Sequence, residues 1–396
     1  MNKLSKIIAT GLVALSLNTY ADDCPSLSGE VIIGTGKESD FTTISEAMDA
    51  LRCGGASGPV TFMLESGTYK ERLVISSIPG IDAFNPLVFQ SASGNNTDVV
   101  ISYAATDATV VVNASFVSFE NITIDHSKGT YGNCMRVEGK SSNLMFRGVL
   151  FDGVEKAAAG ETNATVYFAP TATKSNISFE DCEVNFGSIG ICKKGMSSMF
   201  PDTRTTISGT LFFGQTEAGM TLSNEEAPLI TSNVVSTSSS INGYKAIYLD
   251  EVSNNVMVTK NILNTANNAM GLVMNNCMAS ATNPGQIINN TMALQGNTQA
   301  LGISMSGNTD NHVFNFNRVK MAMNADNAST QGYYSNSSTG TNINMMNSLF
   351  IDMNTGVYTV MGNSYKDFFN QLPGQSNQAL TAKANSFTME KVSGVK

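Results

Sequence analysis

The sequence predicts an all-β fold, a right-handed parallel β-helix, because two short phrases recur along it at a regular spacing. In the first motif, apolar and polar residues alternate, and the alternation shifts by one residue partway along. In residues 117–124 this shift occurs at Asn121. The second motif has four positions: Gly or Ala, an apolar residue, a residue of any type and another apolar residue, as in residues 271–274. A spacing of roughly 24 to 33 residues is typical of solenoids. A β-sandwich is the alternative, but its regularly spaced turns would not make both motifs recur with the same spacing.

The phase slip predicts a corner between two strands. A strand that changes which face its alternate residues use has to bend, and Asn, Asp or Gly tolerates the left-handed backbone that such a bend needs. We therefore expect three short strands in each turn of the β-helix. The predicted corner residues are Asn121, Gly148 and Asp181, with weaker copies at Gly209, Asn233, Asn261, Asn290, Asn317 and Asn347.

Residues 1–21 are predicted to be a secretory signal peptide. Lys3 and Lys6 form its basic start, residues 7–17 are apolar but too short to span a bilayer, and Ala21 ends a cleavage site. Cleavage there removes two lysines and no acidic residue, which changes the net charge from −9 to −11. We expect a secreted or cell-surface protein, and no later stretch predicts a membrane span.

Three regions are expected after the signal peptide: an N-terminal cap with the first turns at 22–112, β-helix repeats at 113–365 and an end segment at 366–396. In the cap, Thr43 and Glu46 match a capping box, which predicts a helix over residues 44–52 that Gly54 and Gly55 terminate. A helix over the end of a solenoid covers its apolar core and its strand edges. The apolar positions with helical spacing are Ile44, Ala47, Met48 and Leu51.

The chain has six cysteines, which an exported protein can pair as disulfides. A bridge between Cys24 and Cys53 would fix the N-terminal strand, and the sequence leaves open whether it forms. The other cysteines have no CxxC spacing and the chain has only two His, so we predict no zinc site and four buried free thiols. These four are Cys134, Cys182, Cys192 and Cys277.

Short motifs in the first 90 residues carry a family resemblance. They are Gly34-Thr35-Gly36, Asp40-Phe41-Thr42-Thr43-Ile44, Cys53-Gly54-Gly55-Ala56-Ser57-Gly58-Pro59-Val60-Thr61-Phe62, Gly67-Thr68-Tyr69-Lys70-Glu71, Ile78-Pro79-Gly80 and Pro86-Leu87-Val88-Phe89-Gln90. Together they resemble the opening of the pectin methylesterases and, more closely, that of large secreted right-handed β-helix proteins of Gram-negative bacterial surfaces. The resemblance implies a pectin lyase-like fold and no particular reaction.

Catalytic motifs of related folds are incomplete in this chain. The pectin methylesterase phrases Gln-Asp-Thr-Leu and Asp-Phe-x-x-Gly are absent, and there is no Trp for that family's Trp-bearing motif. Ile124-Asp125-His126 resembles a pectate lyase phrase, but the Arg-x-Pro-x-x-Arg of those enzymes is missing. Asn308-Thr309-Asp310 resembles a polygalacturonase motif without the partners that should follow. We interpret the first as a strand-end Asp followed by a turn His, and the second as coincidence.

Other charged residues fall in adjacent groups, and neighbours on a strand face opposite ways, so adjacent acids rarely form one site. We expect most of them to be solvated, and we take Lys193-Lys194 as the strongest basic candidate for an acidic sugar or a lyase base. Acids from different turns could stack on one face and bind Ca²⁺, but the sequence does not align them. The acidic groups are Glu180-Asp181 with Glu183, Glu225-Glu226 and Asp250-Glu251.

These observations predict a monomeric, non-catalytic protein that binds a polysaccharide or another cell-surface partner. An acidic chain repels polyanions, so nucleic-acid binding is not expected. The alternative is a polysaccharide lyase or esterase for pectin-like polymers, with Ca²⁺ as a possible lyase cofactor. The sequence assigns no catalytic residue, no cofactor-binding residue and no metal ligand. Five tyrosines could offer stacking surfaces to sugars, but partly buried packing is the favoured interpretation of each: Tyr244, Tyr248, Tyr333, Tyr334 and Tyr358.

Overall fold

The structure is a computed structural model that describes residues 24–319, apart from 104–106, 238–241, 267 and 297–299, and then the backbone of short strands as far as Thr388. The predicted signal peptide lies outside the described residues. So does the predicted end segment, except for an antiparallel hairpin of Thr381–Lys383 and Ser386–Thr388.

Three parallel sheets form the walls of a β-helix, and each strand pairs with the equivalent strand of the next turn. The predicted parallel β-helix with three strands per turn is confirmed. Sheet 1 contains Leu27–Ile33, Ala56–Leu64, Leu87–Ser91, Val117–Glu120, Leu144–Arg147, Ser175–Glu180, Asp202–Ser208, Glu225–Glu226, Leu229–Thr231, Met257–Thr259, Gly285–Ile288, His312–Asn315, Thr341–Met346 and Ser364–Tyr365.

Sheets 2 and 3 complete each turn. Sheet 2 contains Gly67–Tyr69, Val99–Ser102, Thr123–Asp125, Leu150–Asp152, Glu183–Asn185, Leu211–Phe213, Val234–Thr237, Ile262–Thr265, Thr291–Gly296, Arg318–Met323 and Leu349–Ile351. Sheet 3 contains Leu73–Ser76, Ala108–Asn113, Asn133–Val137, Val166–Phe168, Ile189–Lys194, Ala218–Ser223, Lys245–Asp250, Met270–Asn275, Leu301–Gly307 and Gln331–Ser337.

A helix at Ile44–Gly54 covers the N-terminal end, two residues longer than predicted. Thr43 and Glu46 form the predicted capping box, and the four predicted apolar positions join the same core as Val31 and Ile33. The Cys24–Cys53 disulfide forms and ties the first strand to the end of this helix. The four other cysteines are free and buried, as predicted. A short 3-10 helix, Glu161–Asn163, lies in the connection between sheets 2 and 3.

The interior is filled by columns of identical or similar side chains, because in-register pairing places equivalent residues above one another. On sheet 1, phenylalanines of successive turns have ring centroids 4.6 to 5.8 Å apart, stacked in three pairs and edge to face between Phe62 and Phe89. Their relative exposure is 0%. These rings are Phe62, Phe89, Phe119, Phe146 and Phe179.

The corner between sheets 1 and 2 is left-handed at the predicted residues of the first turns. Asn121, Gly148, Asp181 and Gly209 have φ between 50° and 62°. In the following turns the prediction is wrong by one residue, because the left-handed position is the residue before each predicted Asn. These positions are Ser232, Lys260, Asn289 and Phe316.

The displaced asparagines point into the core and form a hydrogen-bonded ladder, which explains the shift. The Asn233 amide donates to Asn261 Oδ1 at 3.0 Å, and the Asn261 amide donates to Asn290 Oδ1 at 2.9 Å. The Asn290 amide continues the ladder to Asn317 at 3.0 Å. Ile122, Val149, Cys182 and Thr210 fill the same buried position in earlier turns. Asn347 lies outside the described residues.

Substitution of Asn261 by Ala should destabilise the β-helix by about 2 to 4 kcal/mol, because it leaves buried partners on Asn233, Ile230 and Asn290 unpaired. Urea denaturation followed by far-UV circular dichroism measures the loss. The matched control is Asn264→Ala in the same turn, where Asn264 is exposed. Equal denaturation midpoints for the two variants would contradict a stabilising ladder.

Candidate functional site

The outer face of sheet 2 carries one column of side chains that the sequence could not align. The last residues of successive strands pair in register, so they lie about 4.8 Å apart along the helix axis. We call this set the sheet 2 column. It consists of Ser102, Asp125, Asp152, Asn185 and Phe213, and it continues through Ser236 to Asn264.

Two half-buried carboxylates of this column have opposite electrostatic environments. Burial raises the pKa of Asp152, and the charges of Asp125 and Glu183 raise it further and outweigh the opposing charge of Lys128. Burial acts in the same direction on Asp125, but hydrogen bonds from Ser127 and Ser102 outweigh it and lower the pKa of Asp125. The Ser127 N–H donates at 2.8 Å and the Ser102 hydroxyl at 2.9 Å. The pair therefore offers an ionised carboxylate beside one that holds its proton more tightly.

In the turn that follows Asn185 the same face is apolar. Phe213 is 53% exposed and Leu211, two residues earlier on its strand, is 47% exposed. The Phe186 ring meets Phe213 edge to face, with centroids 6.1 Å apart. Hydrogen-bond acceptors and an exposed aromatic surface thus follow one another along one straight wall.

The Ile124-Asp125-His126 motif has Asp125 at the end of a strand and His126 in a turn, as predicted from the sequence. Asp125 ends its strand and faces outward in the sheet 2 column. His126 follows in a turn and is fully buried, with Nδ1 2.9 Å from the Thr109 hydroxyl and Nε2 2.9 Å from the Tyr131 carbonyl. His126 therefore cannot serve a ligand on the outer face, whereas Asp125 can.

The predicted basic candidate, Lys193-Lys194, is corrected by the structure. Lys193 is 0% exposed and points into the core, so it cannot meet a polymer on the surface. Alternate side chains of a β-strand face the core, and Lys193 lies at one of these inward positions on its strand of sheet 3. Lys194 points outward and is ion-paired with Glu161 at 3.0 Å.

The acidic groups also divide between faces. Glu225 is fully buried, whereas Glu226 accepts a hydrogen bond from Asn254 at 2.6 Å. Glu180 is ion-paired with Arg147 at 3.0 Å, and Asp181 forms a left-handed corner. Glu183 faces outward beside Asn185, whose amide donates to it at 3.0 Å.

The remaining candidates have structural roles. Asp250 accepts from the Asn275 amide at 2.7 Å, and Glu251 is left-handed. Thr309 is fully buried and donates to the Ser306 carbonyl at 2.7 Å. Asp310 pairs with Met278 of the preceding turn in an isolated bridge.

The tyrosines do not form one stacking surface. Tyr244 is fully buried, so it packs in the core and offers no surface to a sugar. Tyr248 is half-buried on the outer face of sheet 3, with Lys245 Nζ 5.2 Å from its ring centroid. Tyr333 and Tyr334 belong to the strand Gln331–Ser337, in register with Ile303 and Ser304. Tyr358 lies outside the described residues.

Two other features were weighed as sites. Arg136, on the outer side of sheet 3, is ion-paired with Asp107 and lies 2.8 Å from Glu138. Its hydrogen bond lowers the pKa of Asp107. These charges therefore neutralise one another. A pocket of about 380 Å³ between sheets 3 and 1 is lined mainly by apolar and small polar residues. Lys140 is its one charged lining residue, so it lacks the paired acids of the sheet 2 column.

Asp152, Asn185 and Phe213 were missed because the sequence does not state which turns lie above one another. A signal for them exists, since each lies four residues after a corner residue: Gly148, Asp181 and Gly209. Counting from the corner would have placed them in line with Asp125.

Within residues 24–319 and their described continuation, no group of three or more His, Cys, Asp or Glu side chains could hold a metal ion. Over the same part of the chain, no helix is long and apolar enough to cross a membrane.

No protein-family model and no curated protein matches this chain. Similar solved structures include a lacto-N-biosidase from Eubacterium ramulus, with 11% identity, TM-score 0.48 and coverage of 79% of this chain and 67% of that one. The surface adhesin PfbA of Streptococcus pneumoniae has 13% identity and TM-score 0.47, covering 94% and 99%. A pectin methylesterase from Aspergillus niger has 13% identity and TM-score 0.28, covering 91% and 93%. We draw no conclusion about activity or ligand from likenesses this distant.

The two carboxylates of the sheet 2 column should respond oppositely to neutralisation. Asp125→Asn should destabilise the fold at neutral pH, because a lowered pKa means that ionised Asp125 adds stability above its unfolded value of 3.8, lost as pH falls. Asp152→Asn should stabilise it by roughly 0.5 kcal/mol at neutral pH, with the gain fading as pH falls towards 3.8, because a raised pKa disfavours the ionised form.

Urea denaturation at several pH values between 3 and 8 tests both signs, at roughly one-unit steps across the titration of a carboxyl group. The control is Glu30→Gln, an exposed acid on the first strand, which should change nothing. Effects of the same sign for Asp125→Asn and Asp152→Asn would contradict the assignment of the two environments.

Proposed function

We propose that this chain is an exported, monomeric β-helix protein that binds a neutral glycan along the sheet 2 column. The single observation that carries the proposal is the alignment of Ser102, Asp125, Asp152 and Asn185 with the exposed ring of Phe213 on one wall. Export rests on the predicted signal peptide at residues 1–21.

The chemistry of the column fits a sugar chain. Pyranose rings present hydroxyl groups at their edges and apolar C–H surfaces on their faces. Carboxylate and amide oxygens accept hydrogen bonds from the hydroxyls, and an exposed aromatic ring packs against a C–H face. Asp125 and Asp152 supply the acceptors, and Phe213 supplies the ring.

The dimensions and charge of the column narrow the ligand. From Ser102 to Asn264 the column crosses six steps of about 4.8 Å, or roughly 29 Å, which accommodates an extended oligosaccharide rather than one sugar. The full chain has a net charge of −9, and the column itself presents two acids, so a polyuronate would be repelled. These charges favour a neutral polymer.

Retention of the purified protein on insoluble neutral polysaccharides, with and without Ca²⁺, tests the proposal. Phe213→Ala should weaken binding about tenfold, because it removes the stacking surface while leaving the acceptors in place. Phe84→Ala is the matched control, since Phe84 is 86% exposed in a loop outside the column. Unchanged retention of Phe213→Ala, or an equal loss in both variants, would refute binding at this face.

The opposite pKa shifts of Asp125 and Asp152 favour a second candidate, hydrolysis of the bound glycan. Asp152, which holds its proton more tightly, would protonate the leaving oxygen, and ionised Asp125 would be the nucleophile. Strands on neighbouring turns lie about 4.8 Å apart, close to the carboxyl separation of retaining enzymes. The strongest basic candidate of the lyase alternative, Lys193-Lys194, offers no free base here, because Lys193 is buried and Lys194 is ion-paired with Glu161.

Release of reducing ends from neutral polysaccharides that the protein retains is the measurement for hydrolysis. Asp152→Asn should lower turnover at least a hundredfold while binding persists, because it removes the proton donor. Glu30→Gln, an exposed acid on the first strand and outside the column, should keep the activity. Retention without reducing-end release would exclude hydrolysis of that polymer and leave the binding function intact.

A further inference from the structure

Lys193 occupies an unusual place inside the β-helix. In-register pairing stacks it between two apolar residues, Phe168 of the preceding turn and Leu222 of the next. It is 0% exposed, and its ammonium lies 5.8 Å from the Phe168 ring centroid. An amine here has lost its water, so its chemistry is set by the few polar atoms it touches.

Two fully buried carboxylates meet this amine. Asp202 Oδ2 lies 2.6 Å from Lys193 Nζ, and Glu225 Oε1 is in closer contact with the same atom. Each carboxylate is also held from its far side. The Lys174 backbone N–H donates to Asp202 Oδ1 at 2.7 Å, and the Thr205 hydroxyl donates to Glu225 Oε2 at 2.8 Å.

The neighbouring buried lysine does not compete for these acids. The Lys174 ammonium donates to the carbonyls of Ala169 and Ala172 at 2.7 and 2.9 Å. Lys193, Asp202 and Glu225 are thus a separate group of one amine and two carboxyls, all at 0% exposure.

Packing alone does not explain this group. Val252 and Cys277 occupy the position of Glu225 in the next two turns, each directly after a left-handed residue. The solenoid therefore accommodates apolar residues at this corner. Buried ion pairs seldom stabilise a fold more than apolar residues of similar size would, because the desolvation of both charges offsets their attraction.

We propose that Lys193 and Asp202 condense to form an intramolecular amide bond, with Glu225 as the acid–base group. The geometry has the parts that such a condensation needs: a desolvated amine, a carboxyl within contact, a second carboxyl touching the same amine, and an N–H donor on the electrophile. This inference does not depend on the proposed glycan function.

The reaction balances without a further reagent. Lys193 Nζ first transfers a proton to Asp202 Oδ2, and the resulting amine attacks Cγ of the Asp202 carboxyl. A C–N bond forms, and the resulting oxyanion on Oδ1 accepts a hydrogen bond from the Lys174 N–H. Glu225 takes a proton from the nitrogen and returns one to the departing Oδ2, the C–O bond breaks, and one water leaves. Burial raises the pKa of Glu225 above that of a free carboxyl and outweighs the opposite effects of Lys193 and of the Thr205 hydrogen bond, so Glu225 is suited to carry the proton in both directions.

The bond would join the end of one strand of sheet 3 to the start of the next strand of sheet 1. Between them lies a connection whose apolar side chains face solvent, with Met196, Met199 and Phe200 at 45%, 79% and 52% exposure. An amide across its base would close this connection covalently inside the solenoid wall.

Mass spectrometry of the denatured, reduced natural chain tests the proposal directly. The expected mass is one water lower than the mass calculated from the sequence of the processed chain. A mass equal to the calculated value would overturn the proposal, and this measurement requires no variant to fold.

Trypsin digestion locates the bond. An amide on Lys193 blocks cleavage there, so residues 175–194 should be joined to residues 195–204, which contain Asp202. A branch to residues 205–245 would instead place the bond on Glu225 and overturn the assignment of the electrophile. Water loss confined to one linear peptide would indicate cyclisation within the backbone and would also overturn it.

Variants separate chemistry from packing. Glu225→Gln keeps the side-chain size but removes the acid–base group, so the folded variant, checked by circular dichroism, should keep its full mass. Lys194→Met is the matched control, because Lys194 is adjacent but lies outside, paired with Glu161, and it should still lose one water. Water loss that persists in Glu225→Gln would exclude the assigned role of Glu225.

Discussion

In-register pairing of each strand with its equivalent in the next turn is the constraint on which this structure depends. It fixes the vertical spacing at about 4.8 Å and forces residues at equivalent positions into columns. The side chains of a column must then pack against one another, because each one lies between the equivalent residues of the turns above and below it. The stacked phenylalanines of sheet 1 meet this requirement by ring packing, and the asparagines at the next corner meet it by hydrogen bonds.

The same constraint makes departures from a column informative. At the corner between sheets 1 and 2, the inward position changes from Ile122 and Val149 to the asparagine ladder, and each member satisfies the next. Lys193 has no such counterpart, since Phe168 and Leu222 flank it. A charge inside an apolar column needs specific partners from a neighbouring corner, and Asp202 and Glu225 are those partners.

Outside the solenoid, the columns turn a one-dimensional repeat into long surfaces. A single side chain on a short strand would make a weak contact, but Asp125 and Asp152 present acceptors on adjacent turns. Phe213 interrupts that row, so the face changes along its length from hydrogen-bonding residues to an exposed aromatic ring. A polymer with its own regular repeat is the natural counterpart of such a surface.

The sequence by itself determined the solenoid, its three strands per turn, the capping helix at its N-terminal end and the corner residues of the early turns. These features depend on alternation, capping and backbone preference, which are local. Tertiary structure alone decided that Asn233 turns inward with Ser232 left-handed, that Lys193 is interior, and that Asp152 lies beside Asp125. Each of these depends on which turns stack above one another, and variable connections, such as residues 153–165, hide that register until the chain is folded.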